Sequence, residues 1–264
     1  MSDFWILRPF SPLFLLVFAL FLLLLIVSSL LLRKKSERTR AMVIACACWV
    51  TLLGFIAYKF ALSVDAEFNE LTAVMGGFNW WGELPLQLCN INMLLIPLAI
   101  LKRWRPLLGF CFFIAPLGAL MALVMPGTGF EAYPIYLPRM LGYFGTHFMI
   151  FIEGLAIVTF GLYRPRWRDI PLTILVLFVI ALAVFGVNML LRATGLHPKA
   201  NYFFSVETEG NPLLDLFYSW LPWPFLFLLP SIVIVAVYAG VITACFDIAG
   251  RLRAKKRGKA AVSG

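Results

Sequence analysis

The sequence predicts an all-α polytopic membrane protein, a bundle of seven transmembrane helices with its N-terminus outside and its C-terminus in the cytoplasm. Three observations carry that expectation. Of the 264 residues, 62% are hydrophobic and 13% charged, where a soluble domain holds about half and about a quarter. The apolar residues come in runs of about twenty, the length that crosses a hydrocarbon core of roughly 30 Å. The basic residues sort to one side of those runs.

In order, the spans fall at about 12–32, 41–63, 84–101, 106–125, 143–163, 170–191 and 221–246. The first is too long for the apolar core of a signal peptide and ends in Arg33-Lys34-Lys35, which reads as an inner anchor rather than a cleavable leader. The connections 33–40, 102–105 and 164–169, with the tail 247–264, hold all but five of the 22 basic residues. The exceptions are Arg8, Lys59, Arg139, Arg192 and Lys199. Positive charge marks the cytoplasmic side, so these short loops face inward and the N-terminus outward. Asp3, Glu83 and Glu131 are among the acidic residues on the outer side, a consistency check only. The chain thus divides into a transmembrane domain, 1–246, and a basic cytoplasmic tail, 247–264, placed at a cell (plasma) membrane, a bacterial inner membrane being expected.

The net charge of +9 is explained by this topology rather than by a nucleic-acid partner. No nucleotide-binding loop is present, which argues against an ATP-driven pump. Cys46, Cys48, Cys89, Cys111 and Cys245 all lie in or beside apolar runs, without the spacing of a disulfide framework or a zinc site. No metal and no cofactor is expected, and the cysteines other than Cys89 read as packing.

Elaborated sequence lies outside, at about 64–83, 126–142 and 192–220, with interfacial aromatics such as Trp80, Trp81 and Tyr202. Asn211-Pro212 and Trp220-Leu-Pro-Trp-Pro224 predict a stiff outer loop, either an interfacial anchor or a lid over a lateral lipid entrance. Polar residues inside spans are costly and often functional. The densest set is Gln87, Cys89, Asn90 and Asn92 in the third span; as a regular helix it puts Cys89 and Asn92 on one face, Gln87 and Asn90 on the next. Such groups serve either as interhelical packing or as a site. His147 begins the fifth span at a depth similar to that of Cys89, so the two meet if those helices are neighbours. An imidazole beside a thiol can hold the thiolate that attacks an ester, with Gln87, Asn90 or Asn92 polarising the carbonyl or orienting the imidazole. Asn188 and Asn201 are further polar candidates near the outer end. Glu153, on another face of the fifth span, suggests a structural ion pair ahead of a proton-linked role.

The run Leu84-Pro-Leu-Gln87-Leu-Cys89-Asn90-Ile91, the pair Thr146-His147, Asn201-Tyr202 leading to Leu213-Leu-Asp215, and Trp220-Leu-Pro-Trp-Pro224 resemble the YwaF family of bacterial integral membrane proteins over about residues 80–230. That family is similar to animal transmembrane ether-phospholipid acyltransferases and, more distantly, to androgen-induced membrane hydrolases. The resemblance implies a lipid acyltransferase or lipid-ester hydrolase acting on membrane phospholipids, with Cys89 as nucleophile and His147 as its partner. Gln87 departs from the family's usual histidine and would replace it only as a hydrogen-bond donor. The competing readings are a transporter of a lipid or small polar solute, which broken helices or more midplane charge would favour, and a receptor-like or assembly protein.

Overall fold

The computed structural model describes residues 5–73, 77–126 and 133–262. Asp3 and Glu131 lie outside them, and the 126–142 connection is described only at its two ends. The architecture is all-α, and the chain is a multi-pass membrane protein with six helices long and apolar enough to cross a bilayer. The helices are α1 (Pro12–Leu32), α2 (Glu37–Val64), α3 (Ala66–Thr72), α4 (Asn92–Lys102), α5 (Arg105–Val124), α6 (Pro138–Thr159), α7 (Ile170–Ala193), α8 (Pro212–Trp220) and α9 (Leu229–Val262).

Local chemistry sets the helix ends. Ser11 and Ser36 accept backbone N–H bonds at the starts of α1 and α2, and Asn211 does so for α8. Prolines occupy the first turns of α1, α5, α6, α7 and α8, where their missing N–H costs nothing. Arg103 adopts a left-handed conformation, φ 50°, and ends α4 so abruptly that α5 begins two residues later.

The packing is that of a lipid-immersed bundle. α5 and α6 form its centre, flanked by α2, α4 and α7. Gly154 makes the central approach possible: a Cβ there would lie 2.6 Å from Pro116 Cδ and 2.9 Å from Ala115 Cβ. α1 is peripheral, burying only Phe14 and Leu25 of its 21 residues, and docks on α6 through ring contacts such as Phe21–Phe148, with centroids 4.9 Å apart. Its exposed leucines face lipid, where exposure of apolar groups has no cost.

The two ends of the bundle are distinguishable. Trp5 and Ile135 pair by backbone hydrogen bonding at 2.7 Å, fixing the N-terminal segment beside the start of α6. At the opposite end, with the basic loops, Trp167 donates to Asp247 of α9 at 2.9 Å. α9 runs without interruption from the apolar span into the basic tail.

The third expected span is not one regular helix. Only Asn92–Lys102 is helical, 11 residues or about 16 Å, and residues 84–91 form bends and turns. Pro85 removes a backbone donor, and the N–H groups of Leu84 and Leu86 bond outside any helical ladder, to Tyr202 Oη and the Leu84 carbonyl. The helical face drawn through Cys89 and Asn92 is therefore replaced by a turn that delivers Cys89 to the start of α4.

Candidate functional site

Cys89 lies in this turn, with Gly118 of α5 behind it; a Cβ on Gly118 would sit 3.6 Å from Cys89 Cβ. His147 is the tenth residue of α6, roughly 14 Å along the helix from Pro138. The two side chains meet: Cys89 Sγ and His147 Nε2 are 3.2 Å apart, both buried. His147 Nδ1 lies 2.7 Å from the Tyr143 carbonyl, one turn earlier. A carbonyl only accepts, so Nδ1 carries the proton and donates, leaving the Nε2 lone pair to accept from the thiol. The Tyr143 ring packs on the imidazole with centroids 4.4 Å apart, and its hydroxyl donates to the Ala122 carbonyl at 2.9 Å. These contacts fix the ring's orientation.

The backbone N–H groups of Cys89 and Asn90 belong to the turn that carries the sulfur, and neither donates to a carbonyl among the described backbone bonds. They precede α4, which begins at Asn92, and are left as donors that a thiolate or oxyanion at this turn could use. Asn90 Oδ1 and Asn92 Oδ1 are buried without a hydrogen-bond partner. Asn92 Nδ2 donates to the Leu88 carbonyl at 2.9 Å, bracing the turn from its far side.

The remaining sequence candidates build the neighbouring loop instead. Gln87 Oε1 accepts from the Phe203 N–H at 3.1 Å. Asn188, fully buried, donates to the Tyr202 carbonyl and to Ser205 Oγ, both at 2.8 Å, and accepts from the Tyr202 N–H at 3.0 Å. Asn201 accepts from the N–H groups of Val206 and Glu207 and donates to Glu209. Tyr202 Oη closes the unit by donating to the Trp81 carbonyl at 2.7 Å and accepting from the Leu84 N–H at 3.0 Å. These bonds hold Phe203 and Phe204 at positive φ, 60° and 52°. The bonds shown by Gln87, Asn188 and Asn201 therefore build the 201–209 loop and hold it against the cysteine turn rather than reach the sulfur.

Glu153 has no cation. Its Oε1 accepts from Thr51 Oγ1 at 2.6 Å, and none of the ion pairs among the described residues includes it. The expected ion pair is replaced by a hydroxyl contact between α2 and α6, because the bases of this bundle collect at its ends. No group of His, Cys, Asp and Glu among the described residues has the geometry of a metal site.

Sequence reading missed Tyr143, Gly118 and the two backbone donors. Tyr143 was legible as the residue four before His147, whose carbonyl a helical histidine can reach. The others depend on the helix break at 84–91.

The fold and site define a class: a multi-pass helical membrane protein with a buried thiol–imidazole pair at the mouth of a short helix. The chain belongs to the TMEM164 family, which it matches over residues 6–242. This match covers most of the chain and overturns the assignment to the YwaF family, which rested on short motifs within residues 80–230. The acyltransferase and phospholipid labels borrowed through that resemblance lose their support with it. No curated protein and no solved structure matches the chain.

Proposed function

We propose that Cys89 and His147 form a nucleophilic pair that takes an acyl group from an ester dissolved in the membrane and passes it to water or to another hydroxyl. The single observation that carries this reading is the 3.2 Å contact between Sγ and Nε2, made while Nδ1 is committed to the Tyr143 carbonyl.

The chemistry follows from those two atoms. Nε2 accepts the thiol proton, and the thiolate adds to the ester carbonyl. The backbone N–H groups of Cys89 and Asn90 stabilise the oxyanion. When the carbon–oxygen bond breaks, Nε2–H returns its proton to the leaving alkoxide, and a Cys89 thioester remains. An incoming hydroxyl then gives its proton to Nε2 and attacks the thioester, releasing the thiolate. Asn90 Oδ1 and Asn92 Oδ1, unpartnered among the described residues, suit a substrate that brings its own hydrogen-bond donors.

The reading includes a seventh crossing, made by residues 84–91 together with α4, with the N-terminus outside and the tail cytoplasmic. Support comes from the termini lying at opposite ends of the bundle, which requires an odd number of crossings, and from basic loops clustering at one end. The pair then lies toward the outer leaflet.

The test is intact-protein mass spectrometry after incubation with total membrane lipids, alongside Cys89→Ala and His147→Ala. A hydroxylamine-sensitive gain of one acyl chain, absent from both variants, is the expected result. A wild-type protein that forms no adduct and releases no fatty acid sinks the proposal.

A further inference from the structure

At the end of the bundle that carries the basic loops, a cleft of about 1300 Å³ opens between the end of α6, its following loop and α9. It is remote in the fold from Cys89, which sits at the opposite end of α4. Arg105, Arg164 and Arg253 line it together with the apolar Val158, Leu162 and Phe246. We propose that this cleft binds the phosphate group of an anionic lipid headgroup, with Arg164 and Arg253 as its principal donors.

The charge inventory points to an anion. Arg105 is committed to Asp169, through Nη2 to Oδ2 at 2.5 Å, and to the Arg164 carbonyl at 2.9 Å. Asp247, the other nearby carboxylate, accepts from Trp167. Among the described residues no carboxylate pairs with Arg164 or Arg253. Arg164 makes one long contact, 3.5 Å, to the Phe246 carbonyl. Two guanidiniums thus face one cleft without counter-charge, an arrangement that repels itself until an anion enters.

The site is shaped as well as charged. Arg164 lies across α9 at Gly250, where a Cβ would be 2.4 Å from Nη2, so a side chain there would displace the guanidinium. The negative end of α6 does not cancel the field, because Arg40 donates to the Phe160 carbonyl.

A phosphate carries several acceptor oxygens and matches the forked donors of arginine. The apolar walls assign it to a lipid. Ile248 and Leu252 of α9 and Trp167 are exposed apolar residues at this same end of the bundle, a composition suited to the boundary between hydrocarbon and headgroup.

The experiment is a lipid-retention assay on the full chain in mixed micelles, read by native mass spectrometry, comparing phosphatidylglycerol with phosphatidylcholine. Glycerol phosphate and inorganic phosphate form separate arms. Wild type should prefer phosphatidylglycerol by roughly 30-fold, about fivefold per guanidinium. Arg164→Gln with Arg253→Gln should abolish that preference, whereas Lys256→Gln in the tail should leave most of it. The two arginines are exposed, so the double variant should keep the wild-type melting temperature, and Arg164→Lys should restore part of the preference. Equal retention of both lipids by wild type overturns the proposal. So does an equal loss in Lys256→Gln, which would make the effect one of general tail charge. Saturation by inorganic phosphate alone overturns the lipid assignment.

Discussion

Asn188 offers the sharpest test of how the 201–205 loop is held. Its side chain is fully buried and makes three hydrogen bonds of 2.8–3.0 Å to Tyr202 and Ser205. Leucine of similar size removes all three. The Tyr202 carbonyl keeps a bond from Ser205 Oγ at 3.0 Å, so the Tyr202 N–H is the one backbone group left orphaned. Three lost bonds at about 1 kcal/mol each, with that orphan adding to the upper end, give a loss of about 3–4 kcal/mol. For a chain of this size that lowers the melting temperature by roughly 6–16 °C.

Asn188→Asp is the discriminating companion. Oδ1 still accepts from Tyr202, but the other carboxylate oxygen faces the Tyr202 carbonyl, where Asn188 had a donor. The aspartate variant should therefore be destabilised at neutral pH and recover in mild acid, when a protonated carboxyl donates again. The leucine variant should show no such recovery. Tryptophan-fluorescence melting in detergent reads both. A leucine variant within about 2 °C of wild type would refute the bookkeeping, as would an aspartate variant that gains stability at neutral pH. Since Gln87 ties Phe203 to the cysteine turn, both variants should also speed alkylation of Cys89.

Glu153→Gln should leave melting nearly unchanged, because an amide can still accept from Thr51, whereas loss of a true ion pair would cost several degrees in the same assay. Gly154→Val should cost about 1–3 kcal/mol or prevent folding, since even a Cβ meets Pro116 and Ala115; unchanged expression and melting would contradict the central helix approach. Burial holds the His197 imidazole below its ordinary value, so the unfolded chain binds more protons, and stability should fall as pH drops below about 6.5. His197→Gln should reduce that dependence in melts from pH 7 to 5.

Much of the fold was legible because bilayer physics writes it at low resolution. The first span was read as 12–32, and α1 is Pro12–Leu32. Length, hydropathy and charge determine such an element almost alone. The third span failed for the opposite reason. Its apolar run is long enough to be a helix, and only tertiary partners, Tyr202 Oη for Leu84 and Gln87 for Phe203, reveal that residues 84–91 are unwound. Hydropathy does not see a hydrogen bond made across 118 residues. The site divided along the same line. Depth from the membrane boundary brought Cys89 and His147 together. The asparagines could not be ranked from sequence, because a buried amide that builds a loop and one that binds a substrate look alike.

The unwound turn also explains why site and loop must act as one unit. Irregular backbone at membrane depth survives only where protein satisfies its polar groups. Here the satisfying group is Tyr202 Oη, carried on a loop whose Phe203 and Phe204 are held at positive φ by Asn188 and Gln87. A regular helix through 84–91 would commit the N–H groups of Cys89 and Asn90 to the carbonyls of Pro85 and Leu86. Breaking the helix frees those donors, and the 201–205 loop stabilises the break. A substitution anywhere in that loop should therefore be felt at Cys89, whether or not it touches the thiol.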